Sequence, residues 1–165
     1  MESTPFDSEI FLPRTSAGIL MYRRTSKSFE VLLVHPGGPI WKNKDDGAWS
    51  LPKREYDASE DPLAVARREF EEETGYTVDG DFIALQPVKQ ASGKVVSAWA
   101  VEGDCDTTQI RSNTFEMEWP PKSGERAEFP EVDKAAWFTP EQARVKLVSA
   151  QRDLVDQLCV LLKRS

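Results

Sequence analysis

One histidine, two cysteines and no long apolar run are the first features of this 165-residue chain. No hydrophobic stretch approaches the roughly 18 residues that a membrane-crossing helix needs, so no membrane span is expected. Cys105 and Cys159 lie far apart in sequence and have no metal-type spacing. They read as reduced thiols in a cytoplasmic protein. The single histidine, His35, closes an apolar stretch just ahead of Pro36 and reads as structural. Positive charge is also short: 21 Lys and Arg stand against 28 Asp and Glu, giving a net charge of −7 and a pI near 4.9. Such a chain repels a nucleic-acid backbone or an anionic membrane surface, so no long nucleic acid and no membrane partner are expected. A phosphate-bearing ligand would have to be held locally, by a metal or by a few placed cations. The opening MESTPFDSEIFLP has neither a basic segment nor an apolar one, so no secretion signal is expected. Internal repeats and low-complexity tracts are missing as well.

The residues that are present suit one folded unit spanning 1–165, with 1–14 as a leader, at 39% hydrophobic content. SAGILMYRR (16–24) and FEVLLVHP (29–36) are apolar runs separated by polar TSKS, as in two neighbouring strands joined by a turn. The segment from Gly37 to Asp61 has many turn residues and little periodicity, and predicts a long loop with a short strand around Trp49–Leu51. DFIALQPVKQ and KVVSAWAVEG predict a strand pair. TFEMEW (114–119) alternates, with Phe115, Met117 and Trp119 on one face and Glu116 and Glu118 on the other. PPKSGERAEFPEVD reads as a further loop and KAAWF as a short strand. Thr139, Pro140 and Gln142 mark a capped helix start, and Leu154, Leu158, Leu161 and Leu162 line a last helix over about 150–163. Strands with helices interspersed give a mixed α/β sandwich.

The clearest helix is Pro62–Thr74, with Asp61 as N-cap, Pro62 at the first helical position and Gly75 as the left-handed stop. At ~100° per residue, Leu63, Ala66, Phe70 and Thr74 form a core stripe. Glu69, Glu72 and Glu73 share a neighbouring arc, while Glu71 points to solvent. An acidic solvated face is one explanation, since Glu favours helices. Two facts weigh against it. Like charges three or four residues apart destabilise a helix, and the helix dipole penalises carboxylates in its last two turns by about 0.3–1 kcal/mol each. A hard divalent cation, Mg²⁺ or Mn²⁺, reverses that balance, because it takes carboxylate and carbonyl oxygens as ligands. Spacing alone leaves both explanations open.

From Glu60, seven residues lead to Arg68, then Glu69, Phe70, Glu71, Glu72, Glu73, Thr74 and Gly75. This pattern resembles the box of the Nudix hydrolases, G-x5-E-x7-R-E-U-x-E-E-x-G-U, with U a bulky apolar residue. SAGILMYRR, WSLPK and FPEVDKAAWF are also similar to flanking segments of that family, closest in flavour to hydrolases of dinucleoside polyphosphates. Two positions depart from the pattern. Arg54 stands where the box has its first glycine, and Tyr76 replaces an aliphatic residue. The departure at 54 suggests a strained turn or, alternatively, an arginine that contacts phosphate.

The resemblance implies a Nudix-type α/β/α sandwich with a mixed sheet, and metal-dependent hydrolysis of a phosphoanhydride in a nucleoside diphosphate linked to another group. It implies that Glu72 and Glu73 bind Mg²⁺ or Mn²⁺ and that Glu69 binds metal or activates water. Arg68 would brace the carboxylates through Glu60, and the Lys53 carbonyl would be a further ligand. A late-loop carboxylate is expected too, with Glu131 first and Glu128, Glu118 and Glu116 behind it. Lys53 and Arg54, and less so Lys42 and Lys44, are candidates for substrate phosphates. Trp41, Trp49 and Tyr22 could stack a base, although strand aromatics are more often core. The competing expectation is a catalytically impaired nucleotide-sensing module, with Arg54 as the cause.

Overall fold

The computed structural model describes residues 14–163, so most of the expected leader lies outside the described residues. Among the described residues, nine strands, three α-helices and two 3₁₀ turns follow one another. A seven-stranded mixed sheet is built on β1 (Thr15–Arg24), β2 (Phe29–Pro36), β6 (Val95–Glu102) and β9 (Val132–Phe138). β1 runs parallel to β6 and antiparallel to β2, and β2 pairs antiparallel with β9. Short strands β3 (Lys53–Glu55), β4 (Ile83–Ala84) and β5 (Val88–Lys89) pair along β1 or β6. β7 (Thr114–Glu118) and β8 (Arg126–Pro130) form a separate two-stranded hairpin.

The unbroken apolar runs of β1 and β2 follow from burial on both faces. Ile19, Met21, Leu32 and Val34 pack on one side with Val65, Ala66 and Phe70 of helix α1 (Pro62–Thr74). Leu20, Tyr22, Val31 and Leu33 pack on the other with Ala143 of α2 (Pro140–Lys146) and with Leu154, Val155 and Leu158 of α3 (Arg152–Lys163). The layers are α/β/α, as expected.

Both ends of α1 form as the sequence predicts. The Asp61 carboxylate accepts from the Ala64 N–H, and Gly75 closes the helix at φ 83°. Thr139 and Gln142 complete a reciprocal capping box on α2. Four expectations are corrected. The short strand lies at Lys53–Glu55 instead of Trp49–Leu51, where Trp49 and Ser50 make only isolated bridges. DFIALQPVKQ is interrupted around Pro87 into β4 and β5, because proline has no N–H to donate to a ladder. The segment read as a loop before Glu131 contains β8, whose alternation of Ala127 and Phe129 with charged neighbours pairs it in register with β7. Val65, missing from the expected stripe, is buried in α1.

His35 is fully buried. Its Nε2 donates to the Lys44 carbonyl at 2.6 Å, and its Nδ1 meets the Asp133 carboxylate at 2.8 Å. The imidazole therefore ties the loop 37–48 to β9. His35→Leu leaves the Lys44 carbonyl short of a donor and removes the imidazole from Asp133, and should lower stability by about 1–3 kcal/mol in a denaturant melt.

Candidate active site

The site begins with the close packing of Lys53 against β1. Gly18 faces Lys53 in register, and a Cβ on Gly18 would lie 2.5 Å from the Pro52 carbonyl oxygen. Only a glycine allows this approach. The buried Gln151 side chain accepts from the Leu51 N–H at 3.1 Å and donates to Ser50 Oγ at 3.1 Å, which fixes the segment from the other side.

Position 54 corrects the expectation of a strained turn. Arg54 lies within β3, opposite Ala17, and Lys122 is the one non-glycine residue at positive φ among the described residues. Extended backbone accepts any side chain here. Arg54 Nη2 donates to Glu60 Oε2 at 3.0 Å, and Arg68 Nη2 reaches the same oxygen at 3.4 Å. Glu60 is thus held between two guanidinium groups, and its carboxyl is lowered chiefly by the Asp57 N–H and then by Arg54. Arg54 Nε is buried without a partner.

α1 then presents its acids together. Glu69 lies within hydrogen-bonding reach of both Glu72 and Glu73, and the last turn of the helix carries no basic residue. Burial, first, and then Glu72 raise Glu69 above the ordinary range; the hydrogen bond with Glu73 and the charge of Arg54 oppose this. Glu73 is pushed up to about 10, by burial first, then by Glu69 and the charge of Glu131, with Lys53 opposing. Burial also lowers the Lys53 amine, followed by Lys94, while Glu73, Glu55 and Glu69 counter that. Lys53, Glu73 and Glu131 line one cleft of about 190 Å³ with Val34, Pro36 and Ser50.

The other candidates fall elsewhere. Glu118 accepts from the Lys122 and Gly124 N–H groups and closes the hairpin turn. Glu116 faces Arg126 at 4.0 Å, and Glu128 is exposed opposite Glu116 in the ladder. Trp49 and Tyr22 are core residues, each 5% exposed, whereas Trp41 is 39% exposed. Lys42 and Lys44 are exposed, and the Lys44 amine sits 5.2 Å from the centroid of the Trp41 ring. Arg54 as a partner of Glu60 was missed by sequence reasoning; its position six residues before Glu60 was the available signal.

Among the described residues, no group of three or more His, Cys, Asp or Glu side chains is arranged to hold a metal ion. The donor chemistry nevertheless suits a hard cation. Glu69, Glu72 and Glu73 are crowded oxygen donors whose ionised forms two of them disfavour in the absence of counter-charge.

A family model described as NUDIX domain matches residues 12–158. This chain belongs to the NUDIX family. It is a Nudix pyrophosphohydrolase by class. An Ap4A hydrolase of C. elegans, solved as a binary complex, superposes with TM-score 0.64 at 20% identity, covering 92% of this chain and 99% of that one. The NUDIX domain of Shewanella oneidensis NrtR, solved with ADP ribose, gives 0.61 at 14% identity, covering 97% and 99%. A MutT protein of Methanosarcina mazei Go1 gives 0.57 at 21% identity, covering 93% and 98%. These likenesses bear on the fold of this Nudix chain. No curated protein matches it in sequence. No helix among its described residues is long and apolar enough to cross a membrane.

Proposed function

We propose that this Nudix protein hydrolyses a phosphoanhydride bond in a nucleoside diphosphate linked to another group, with Mg²⁺ or Mn²⁺. One observation carries the reading: Glu69, Glu72 and Glu73 converge at the tail of α1, beside a cleft that also holds Lys53 and Glu131. Glu69, Glu72, Glu73, Glu131 and the Lys53 carbonyl would hold the metal. When bound, the metal supplies a more acidic water and charge neutralisation for the phosphate chain.

The chain's own groups have separable tasks. We assign Glu69, which both other carboxylates influence, to accept a proton from the attacking water. Arg68 and Arg54 hold Glu60 and so brace the start of α1 against β3. Lys53 and Arg54 are the cations beside the acids, and we assign them to substrate phosphate oxygens. A dinucleoside polyphosphate is the substrate we favour, on the likeness to the C. elegans Ap4A hydrolase. A cytoplasmic location and a single catalytic unit over 1–165 belong to the same proposal.

A substrate panel with product analysis tests this reading. Turnover of at least one such nucleotide with Mg²⁺ or Mn²⁺ is expected; no turnover of any across metals and pH contradicts it.

The impaired-sensor alternative rests on Arg54, and extended backbone at that position removes strain as its cause. Arg54→Gly is therefore expected to leave turnover equal or lower. It should also lower stability by roughly 0.5–1 kcal/mol, since glycine weakens a strand interior. A sharp rise in rate would favour the sensor.

A further inference from the structure

A cavity of about 510 Å³ opens at the other end of β1 from the carboxylates, between the β1–β2 turn (25–28), α2 and the end of α3. Gly18, which faces Lys53, precedes Arg24 by six residues, so the two sites stand roughly 20 Å apart along the strand. Four cations line the cavity: Arg24 of β1, Lys27 of the turn, Arg144 of α2 and Lys163 of α3. One carboxylate, Glu141, lines it with them. This balance is the reverse of the whole chain's, where 28 Asp and Glu outnumber 21 Lys and Arg.

Two of the four cations are held in place. Arg144 Nε donates to Asp156 at 2.7 Å and its Nη2 to Cys159 Sγ at 3.5 Å, while Arg24 pairs with Glu102 at 3.7 Å. The contacts of Arg144 occupy two of its five N–H donors and leave the rest. Lys27 and Lys163 are exposed and form no ion pair among the described residues. The turn that carries Lys27 is itself fixed, because the Thr25 N–H donates to the Ser28 carbonyl and the Ser28 N–H to Thr25 Oγ1, each at 3.0 Å. A hollow lined mainly by one sign of charge focuses the field and concentrates counter-ions. Cations gathered in this way repel one another, which stability alone does not favour.

We propose that this cavity is a second ligand site, for a polyphosphate chain, separate from the catalytic cleft. The proposal goes beyond the hydrolase reading and does not depend on it. Cations drawn from four elements suit an extended polyanion better than a single point charge, and Arg144 offers the planar fork that takes phosphate oxygens in pairs. The hydroxyls of Ser26 and Ser28 add donors without adding charge. Inorganic polyphosphate and the phosphate chain of a nucleotide share this chemistry. A nucleotide would also set its nucleoside against the apolar lining of Phe29 and Leu162.

Calorimetric titration of the full chain with inorganic tripolyphosphate in metal-free buffer tests this. Saturable binding is expected, with sulfate at matched ionic strength giving none. Without metal the carboxylate cleft repels such an anion, so the two sites are separable. Lys27→Gln combined with Lys163→Gln should weaken binding about tenfold, the loss of two exposed ion pairs, while Lys53→Gln leaves it unchanged. Lys27 and Lys163 are exposed, so folding is not at stake. ATP, titrated into the same proteins, distinguishes the sources. Tighter binding than tripolyphosphate supports a nucleotide at the site, and equal binding supports recognition of the chain alone. Absence of saturable binding, sulfate binding as tightly, equal affinity in wild type and the double variant, or a loss in Lys53→Gln instead overturns the proposal.

Discussion

Glu73→Gln is expected to slow turnover by roughly 10²–10³-fold, the loss typical when one preorganised charge-stabilising group is removed from an active site. The same substitution should raise the melting temperature of the metal-free protein. Both signs have one cause. Glu73 is half-buried beside Glu69 and feels Glu131, so its ionised form is disfavoured without a cation. An amide keeps the shape and removes that penalty. Millimolar Mg²⁺ or Mn²⁺ should stabilise the wild type, because a ligand that binds only the folded state shifts the unfolding equilibrium by mass action. In Glu73→Gln that metal-dependent rise should shrink to a small fraction. Differential scanning fluorimetry with and without metal, alongside initial rates, measures all three effects. A variant with unimpaired turnover would remove Glu73 from the mechanism.

Gly37→Ala should be the most damaging small substitution in the loop 37–48. The added methyl would meet a backbone oxygen, Pro130 O, at 2.0 Å, and no side-chain rotation relieves a clash with backbone. Either the loop or the β7–β8 hairpin must move, and with it go the hydrogen bond to the Glu131 carbonyl and the wall formed by Phe115 and Met117. Overpacking of this kind costs about 1–3 kcal/mol. For a chain of this size, that lowers the melting temperature by roughly 2–4 °C per kcal/mol. Nucleotide turnover should fall with it. A crystal structure of the variant with both the loop and the hairpin undisplaced would contradict the account.

The two ends of the helix that organises the site were readable because their signals are local. Asp61, Pro62 and Gly75 act within a few residues of themselves, and the spacing of the glutamates is a property of one helix. The strands were legible where burial on both faces leaves an uninterrupted apolar run, as in β1 and β2. β8 was hidden because one face of it is charged and the other carries only Ala127 and Phe129, in a segment rich in turn residues. The consequence of Arg54 could not be read from the sequence either. Whether a glycine position needs glycine depends on backbone torsion, and pairing with β1 makes this one extended. Likewise, Trp41, Trp49 and Tyr22 are equivalent as residue types. Tertiary packing buries two and leaves the third beside a cavity. Glu131 was singled out ahead of Glu128, Glu118 and Glu116 from its flanking residues, and it is the one that lines the cleft with Glu73.

Anomalous diffraction from crystals soaked in Mn²⁺ with a non-hydrolysable dinucleoside polyphosphate addresses the central claim most directly. The account predicts manganese density among Glu69, Glu72, Glu73, Glu131 and the Lys53 carbonyl, next to the phosphate chain. Carboxylates turned into solvent, with no manganese between them and the phosphates bound elsewhere, would contradict it.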